Sequence, residues 1–425
     1  MKYSWYRQDN SAIIYQMVIT PQTQSLYRLG VALTTLVDKE ILRKSVETAL
    51  LRYPYFKTEI KRGFFRPYLD ENSRPIVIKE DNGVLLDILN FSKNNRYLFR
   101  VSYYKNKFFI DFFHGLCDGT GALNFLKTVV YYYGVNLGKN MDESKFITLS
   151  TTPNQSEWED SFDKYYRKIN LIKGTKSMAG GNAYRLKGKQ FNNPGFGMIE
   201  GLLPTTKLLD LARSYNCTVT VFLTALMLLS VAKTQIKGTQ KDNLIAFIPI
   251  NLRKRYESNT MFNFTVFAKC IIPKDTPHTL IDMINAVKVT LQNQLEKEEV
   301  QLKLSFTSLM AKFLPLKILP LFIKGFISRI GRSIGTKTKQ TFILSNLGMV
   351  DFGENDIIKR ICFNLNCSKK TPNNVGVVTY KDKTVICFTR RLVSTEIERE
   401  FFSTLSNMGL DVEIRSNFRE DCNAL

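Results

Sequence analysis

The sequence predicts two α/β sandwiches carried in one chain, and three observations lead there. Its 425 residues exceed what one typical core holds and suit two. Strand-like and helix-like patterns alternate through the first half, and a fresh series of both begins after a polar stretch in the middle. Hydrophobic residues make up 44% and charged residues 23%, enough apolar material for sizeable cores and unlike a disordered chain.

In the first half, residues 26–35 alternate apolar and polar and read as a half-buried strand. Asp38 caps a helix with Ile41, Leu42, Val46, Ala49 and Leu50 on one face, and Arg52-Tyr53-Pro54 stops it. Short strands follow at 55–61 and 64–69 about Gly63, then a pair at 96–104 and 107–113 about Lys105-Asn106. After the run HGLCDGTG comes a helix, with Ala122, Leu123, Phe125, Leu126, Val129, Val130 and Tyr133 at helical spacing. Residues 138–194 are rich in Asn, Ser, Thr, Lys and Gly and read as the connection, with one short helix near 156–171 and a part that covers the site as a loop. This puts the division at 1–175 and 176–425.

The second half opens with a helix capped by Thr205 or Thr206 and a second, more apolar one at 219–234. Strands are expected at 243–253 and 263–273, and a long helix at 277–299. Further strands fall at 340–345, 358–367, 374–380 and 384–390, then a helix at 395–408 and a strand near 411–416. The most apolar stretch, 219–232, is shorter than the roughly 20 residues that span a bilayer, so it reads as a buried core helix.

Sixty basic against 38 acidic residues leave a net charge of +22, which implies contact with anions. The basic residues are spread along the chain, which argues against the concentrated stripe of a nucleic-acid binder. A phosphate-bearing coenzyme suits the charge equally well, and a general bias of composition towards lysine is the plainer account. Seven cysteines at odd count, without a CxxC pair, and only two histidines make a zinc site a poor expectation. With a polar, aromatic opening rather than a secretory leader, free thiols in a reducing cytoplasm are expected.

The chemically informative run is Phe113-His114-Gly115-Leu116-Cys117-Asp118-Gly119. A strand delivers His114 to a loop just ahead of a helix, and Asp118 is placed to turn back and orient that loop. Gly115, Gly119 and Gly121 permit the tight backbone it needs. Imidazole, with an ordinary pKa of about 6.5, can take a proton near neutral pH. A buried, satisfied histidine is the alternative reading of the same residues. The other histidine, His278, also has an aspartate four residues on, Asp282, but no glycine follows it, and the match is read as coincidence.

HGLCDG resembles the HxxxDG signature of the coenzyme A-dependent acyltransferase superfamily, which includes chloramphenicol acetyltransferases and nonribosomal peptide condensation domains. Other pieces resemble that superfamily in its order: ILRKSVETALLRYPYFKTEI its first helix, CTVTVFLTALMLLSVAKT the helix opening its second domain, IPINLR its PVNLR run and ILSNLGMVDF its SNxGxV run. The nearest match is the alcohol acetyltransferase group. Many members have a second histidine before the first, where this chain has Phe113. His114 keeps the catalytic position.

The resemblance implies a chloramphenicol acetyltransferase-like pair of sandwiches with the active site in a tunnel between them. It implies acyl transfer, acetyl above all, from a coenzyme A thioester to an alcohol or amine, with His114 as general base, no covalent intermediate and no bound cofactor. Asp118 is then structural, with Gly119 as the motif glycine and Arg253 the candidate partner of Asp118. The Ser345-Asn346 turn is the candidate oxyanion site. Two alternatives stay open: a condensation-like enzyme using a carrier-protein thioester, and a non-catalytic scaffold of the same fold. A monomer without specific nucleic-acid binding is expected.

Three further features carry less. Asp351-Phe352-Gly353 lacks the companions of a kinase and reads as a turn after a strand. Cys117 reads as a small buried residue rather than a nucleophile. The basic, apolar run 311–335 is the candidate for any peripheral membrane contact, with packing beside the tunnel the favoured reading.

Overall fold

The computed structural model describes residues 5–17, 19, 24–64, 66–178, 182–192, 195–236, 242–312 and 339–417. The first half contains β1 (Trp5–Tyr6), α1 (Asn10–Met17), β2 (Leu26–Leu33), α2 (Lys39–Arg52), β3 (Thr58–Arg62), β4 (Pro67–Glu71), β5 (Ile78–Glu80), β6 (Phe99–Tyr104), β7 (Lys107–Phe113) and α3 (Gly119–Asn136). Two short helices, α4 (Ser161–Lys164) and α5 (Leu171–Met178), lead to β8 (Gly197–Pro204), α6 (Thr205–Ser214), α7 (Val219–Gln235), β9 (Leu244–Asn251) and β10 (Thr265–Ile272). Then come α8 (Leu280–Gln294), α9 (Lys297–Lys312), β11 (Phe342–Met349), β12 (Ile358–Leu365), β13 (Asn373–Tyr380), β14 (Lys383–Arg390), α10 (Glu396–Asn407) and β15 (Glu413–Ser416).

The strands form three sheets among the described residues: a small β1-β4-β3 sheet, a five-stranded sheet in the order β12-β2-β7-β6-β5, and a seven-stranded sheet in the order β10-β9-β11-β13-β14-β8-β15. In the first core, α2 and α3 pack their apolar faces together over the five-stranded sheet, joining Leu42, Val46 and Leu50 to Phe125, Leu126 and Val129. Asp38 caps α2 by accepting from the amides of Glu40 and Ile41. Helix α7 is the spine of the second core and is buried without interruption from Val221 to Ala232, so its apolar surface runs all round.

The halves are interleaved rather than side by side. Strand β12 belongs to the second half by sequence yet pairs antiparallel with β2 along Ile358↔Leu33 to Leu365↔Tyr27. A boundary at 175/176 therefore divides the chain but not the sheets. The two faces of β14 show the consequence: Val385 and Cys387 pack into the first core, Ile386 and Phe388 into the second. Glycine at 376 lets β13 approach β12, since a Cβ there would lie 2.0 Å from the Phe363 carbonyl oxygen. A buried Arg360–Glu200 pair at 2.7 Å links β12 to β8.

Several expectations need correction. Strand β2 is buried along its whole length, its one charged residue, Arg28, being paired with Asp81 and Asp111. The single helix expected near 156–171 is instead a 3-10 turn at Gln155–Glu157 plus the separate α4 and α5. Arg52 anchors that turn, donating two bonds to Glu157 at 2.8 and 2.7 Å. The long helix expected at 277–299 breaks after Gln294, and α9 restarts with Glu298 and Glu299 in its first turn, where acidic groups suit the helix dipole. Helix α6 begins at Thr205 itself, with Pro204 in the cap position, because the Thr205 hydroxyl is shared with Thr384 at 3.0 Å. Ser345 and Asn346 lie within β11 rather than at a turn; the chain bends only at Gly348, at φ +74°.

Candidate active site

His114 is the first residue beyond β7. Its amide donates to the Ser25 carbonyl at 2.8 Å, so the strand pairing persists to the edge of the loop. Gly115 is required by space, since a Cβ there would lie 2.2 Å from the Phe113 ring. Gln8 donates to the Gly115 carbonyl at 3.1 Å and the Tyr27 hydroxyl to the Cys117 carbonyl at 2.9 Å. The loop is thus held from outside as well as by its own turn.

Asp118 ends the loop and caps α3, accepting from the amides of Thr120 at 3.1 Å and Gly121 at 3.2 Å. The same carboxylate takes both terminal nitrogens of Arg253 at 2.9 Å, the Phe264 amide at 2.9 Å and the Thr265 hydroxyl at 2.8 Å. Arg253 also donates to the carbonyls of Thr260 and Phe262 at 2.7 and 2.6 Å. Burial alone would push the Asp118 carboxyl up, but Arg253 and these donors hold it below the usual range. Gly121 lets the second half rest on α3, since a Cβ there would lie 2.0 Å from the Met261 carbonyl oxygen. Gly119 faces Leu347 of β11, with 3.0 Å between a Cβ and Leu347 Cδ2, so the SNLG run abuts the start of α3.

The imidazole lies between aromatic rings. Tyr15 of α1 stacks on it at 4.5 Å and 15° between planes, and Tyr27 sits at 4.7 Å, tilted by 55°. Its Nδ1 is 3.3 Å from Oδ1 of Asn263. Burial lowers the His114 pKa below the ordinary 6.5, with the Asn263 bond and the Asp118 charge opposing. Asn263 in turn donates from Nδ2 to the His114 carbonyl at 3.0 Å and to Asp9 Oδ2 at 3.0 Å. Asp9, fully buried, also accepts from the amides of Ala12 at 2.7 Å and Asn263 at 3.2 Å. Its burial pushes the carboxyl up to about 6, with the Asn263 and Ala12 bonds opposing.

The structure therefore brings His114, Asp118, Gly119 and Arg253 into one assembly built from both halves. Sequence reasoning missed Asp9, Tyr15 and Asn263, which belong to no contiguous run with the motif. Asn346 spends its side chain on the Thr220 hydroxyl at 3.1 Å and on accepting the Gly348 amide at 2.8 Å, while Ser345 is nearly buried. Burial raises the Cys117 thiol, which keeps it protonated and a poor nucleophile. Asp351 accepts the Gly353 amide at 2.8 Å, a local turn. His278 is exposed. Among the described residues no cluster of three or more His, Cys, Asp or Glu side chains is set to hold a metal ion, and no single helix is long and apolar enough to cross a membrane. The basic run 311–335 lies outside the described residues beyond position 312.

No protein-family model matches the chain, and no curated protein sequence does. Solved structures do. Polyketide synthase associated protein 5 from Mycobacterium tuberculosis matches with a TM-score of 0.62 at 14% identity, over 94% of this chain and 97% of that one. A trichothecene 15-O-acetyltransferase from Fusarium sporotrichioides matches with 0.60 at 12% identity, over 96% and 97%. A variant of the starter condensation domain of rhizomide synthetase, solved with C8-CoA, matches with 0.58 at 10% identity, over 96% and 98%. The chain thus shares the α/β fold of these proteins, the chloramphenicol acetyltransferase-like fold, over nearly its whole length.

Proposed function

We propose that this protein is a coenzyme A-dependent acyltransferase that moves an acyl group, acetyl above all, to the hydroxyl or amine of a small molecule. The observation that carries the reading is a histidine on a rigid loop whose anchoring carboxylate is clamped by Arg253 from the opposite half. The fold it sits in is that of a 15-O-acetyltransferase and of a condensation domain solved with C8-CoA. His114 takes the proton of the acceptor as its oxygen or nitrogen attacks the thioester carbonyl. The tetrahedral intermediate collapses, the carbon–sulfur bond breaks, and the departing thiolate receives the proton from the imidazolium. No acyl-enzyme forms. Asp118 stays out of the chemistry because its oxygens are already occupied.

We place the site in a tunnel between the halves, where one base serves both substrates and removes much of the entropic barrier. Donors of the Ser345–Asn346 run are our candidates for stabilising the oxyanion. The +22 charge favours the coenzyme's phosphates. One chain supplies both halves of the site, so we infer a monomer. The six cysteines of the described residues are free thiols, which suits the cytoplasm. A second reading, a carrier-protein thioester as donor, is favoured by the similarity to a condensation domain.

The test is thiol release from acetyl-coenzyme A across a panel of alcohols and amines, with His114→Ala in parallel. Acceptor-dependent release that falls by roughly 10²–10⁴ in the variant supports the reading. Release that persists in the variant removes His114 as the base. Turnover only with a loaded carrier protein moves the donor to the second reading, and silence with every donor leaves a binding scaffold.

A further inference from the structure

Asn263 is buried, and its side-chain amide can be oriented in only one sense. Nδ2 lies 3.0 Å from a carboxylate oxygen of Asp9 and 3.0 Å from the His114 carbonyl oxygen, and both of these only accept. Turning the amide over would set its oxygen against two other oxygens. Oδ1 therefore faces Nδ1 of His114. An amide oxygen cannot donate, so the bond exists only if Nδ1 carries the hydrogen. Nε2 is then left with its lone pair. Asp9 is itself fixed by the amides of Ala12 and Asn263, so the orienting chain ends on backbone rather than on a mobile side chain.

We propose that Asp9 and Asn263 are positioning residues that hold His114 as its Nδ1–H tautomer and so present Nε2 as the basic atom. The catalytic consequence rests on His114 being the base; the tautomer itself does not. Helix α1 becomes part of the site on this account, since it is preceded by Asp9 and carries Tyr15, stacked on the ring. The titratable groups about His114 are Asp9 and Asp118, with Arg253 bound to Asp118, and Asp160, its carboxyl pushed up to about 8 by burial, beyond Asp9. The Asp118 carboxylate stabilises the imidazolium that forms during transfer, and Tyr15 and Tyr27 face the ring as neutral groups.

The chain has only two histidines, which makes the test direct. The full-length protein is labelled with 15N-histidine, and His278→Gln leaves a single imidazole to observe. The expected wild-type spectrum, above the pH at which His114 titrates, shows Nδ1 as the protonated nitrogen. Asp9→Asn and Asn263→Leu are expected to shift the population towards Nε2–H. They should also lower kcat by about 10- to 100-fold, part of the general-base contribution, with little change in KM. An Nε2–H imidazole in the unmutated protein overturns the proposal without recourse to any variant, as does an Nδ1–H signal that survives both single substitutions. If Nδ1–H is seen while His114→Ala still releases thiol, the clamp stands and the base is elsewhere.

Discussion

Asp118 is bound by six donors, three on each oxygen, drawn from α3, Arg253 and the entry to β10. Removing only the guanidinium, as in Arg253→Met, would leave that carboxylate buried and uncompensated, a loss of about 3–5 kcal/mol that urea unfolding can measure. The pH dependence follows from the sign of the shift. The folded pKa of Asp118 lies below 3.8, so its stabilisation is complete above the unfolded value and is lost as pH falls through the folded one. His114 sets the pH dependence of activity. Because burial lowers its pKa, the base stays neutral further into acid, and the acid limb of kcat/KM should have its midpoint below 6.5. A midpoint well above 6.5 would contradict the desolvated environment described for the ring. The motif loop was legible because strand, histidine, aspartate, glycine and helix follow one another in sequence. Arg253 was legible only through the IPINLR resemblance. Asp9, Tyr15 and Asn263 were not, since a hydrogen bond across 149 or 254 positions leaves no periodic trace.

At the scale of elements, most strands and helices follow from period alone, and the misreadings share a cause in tertiary contacts. Strand β8 was not foreseen, because its GMIEGLLP carries two glycines and a glutamate. Those residues make sense only in place: Gly201 sits where a Cβ would lie 2.1 Å from the Phe402 ring, and Glu200 meets Arg360. The membership of β12 was equally hidden, since nothing in an apolar run states which sheet it will join. Its contact with β13 offers a sharp test. Gly376→Ala would drive a methyl into the Phe363 carbonyl and force β12 away, so a loss of at least about 1–3 kcal/mol is expected. A thermal midpoint unchanged in that variant would mean that β12 is not packed as described.

For the whole molecule, the interleaving predicts that neither half is self-sufficient. A 1–175 fragment lacks β12, leaving the edge of β2 unpaired, a surface that invites aggregation. Expressed alone it should lack a cooperative melt and should recover one when residues 176–425 are supplied in trans. A sharp transition in the isolated fragment would instead show independent domains. Identities of 10–14% across nearly full-length matches fit this picture, since the architecture constrains where strands cross more tightly than which apolar residues fill them.

The clamp around His114 also has a history within each molecule. On the ribosome His114 emerges 149 residues before Asn263, and Asp118 emerges 135 before Arg253. At the usual ~5–20 residues per second, the loop waits about 7–30 s before either partner exists. Through that interval the nascent chain holds an imidazole of unfixed tautomer beside a carboxylate without its counter-charge. The order of synthesis thus keeps the site unassembled until the second half has been made as far as Asn263.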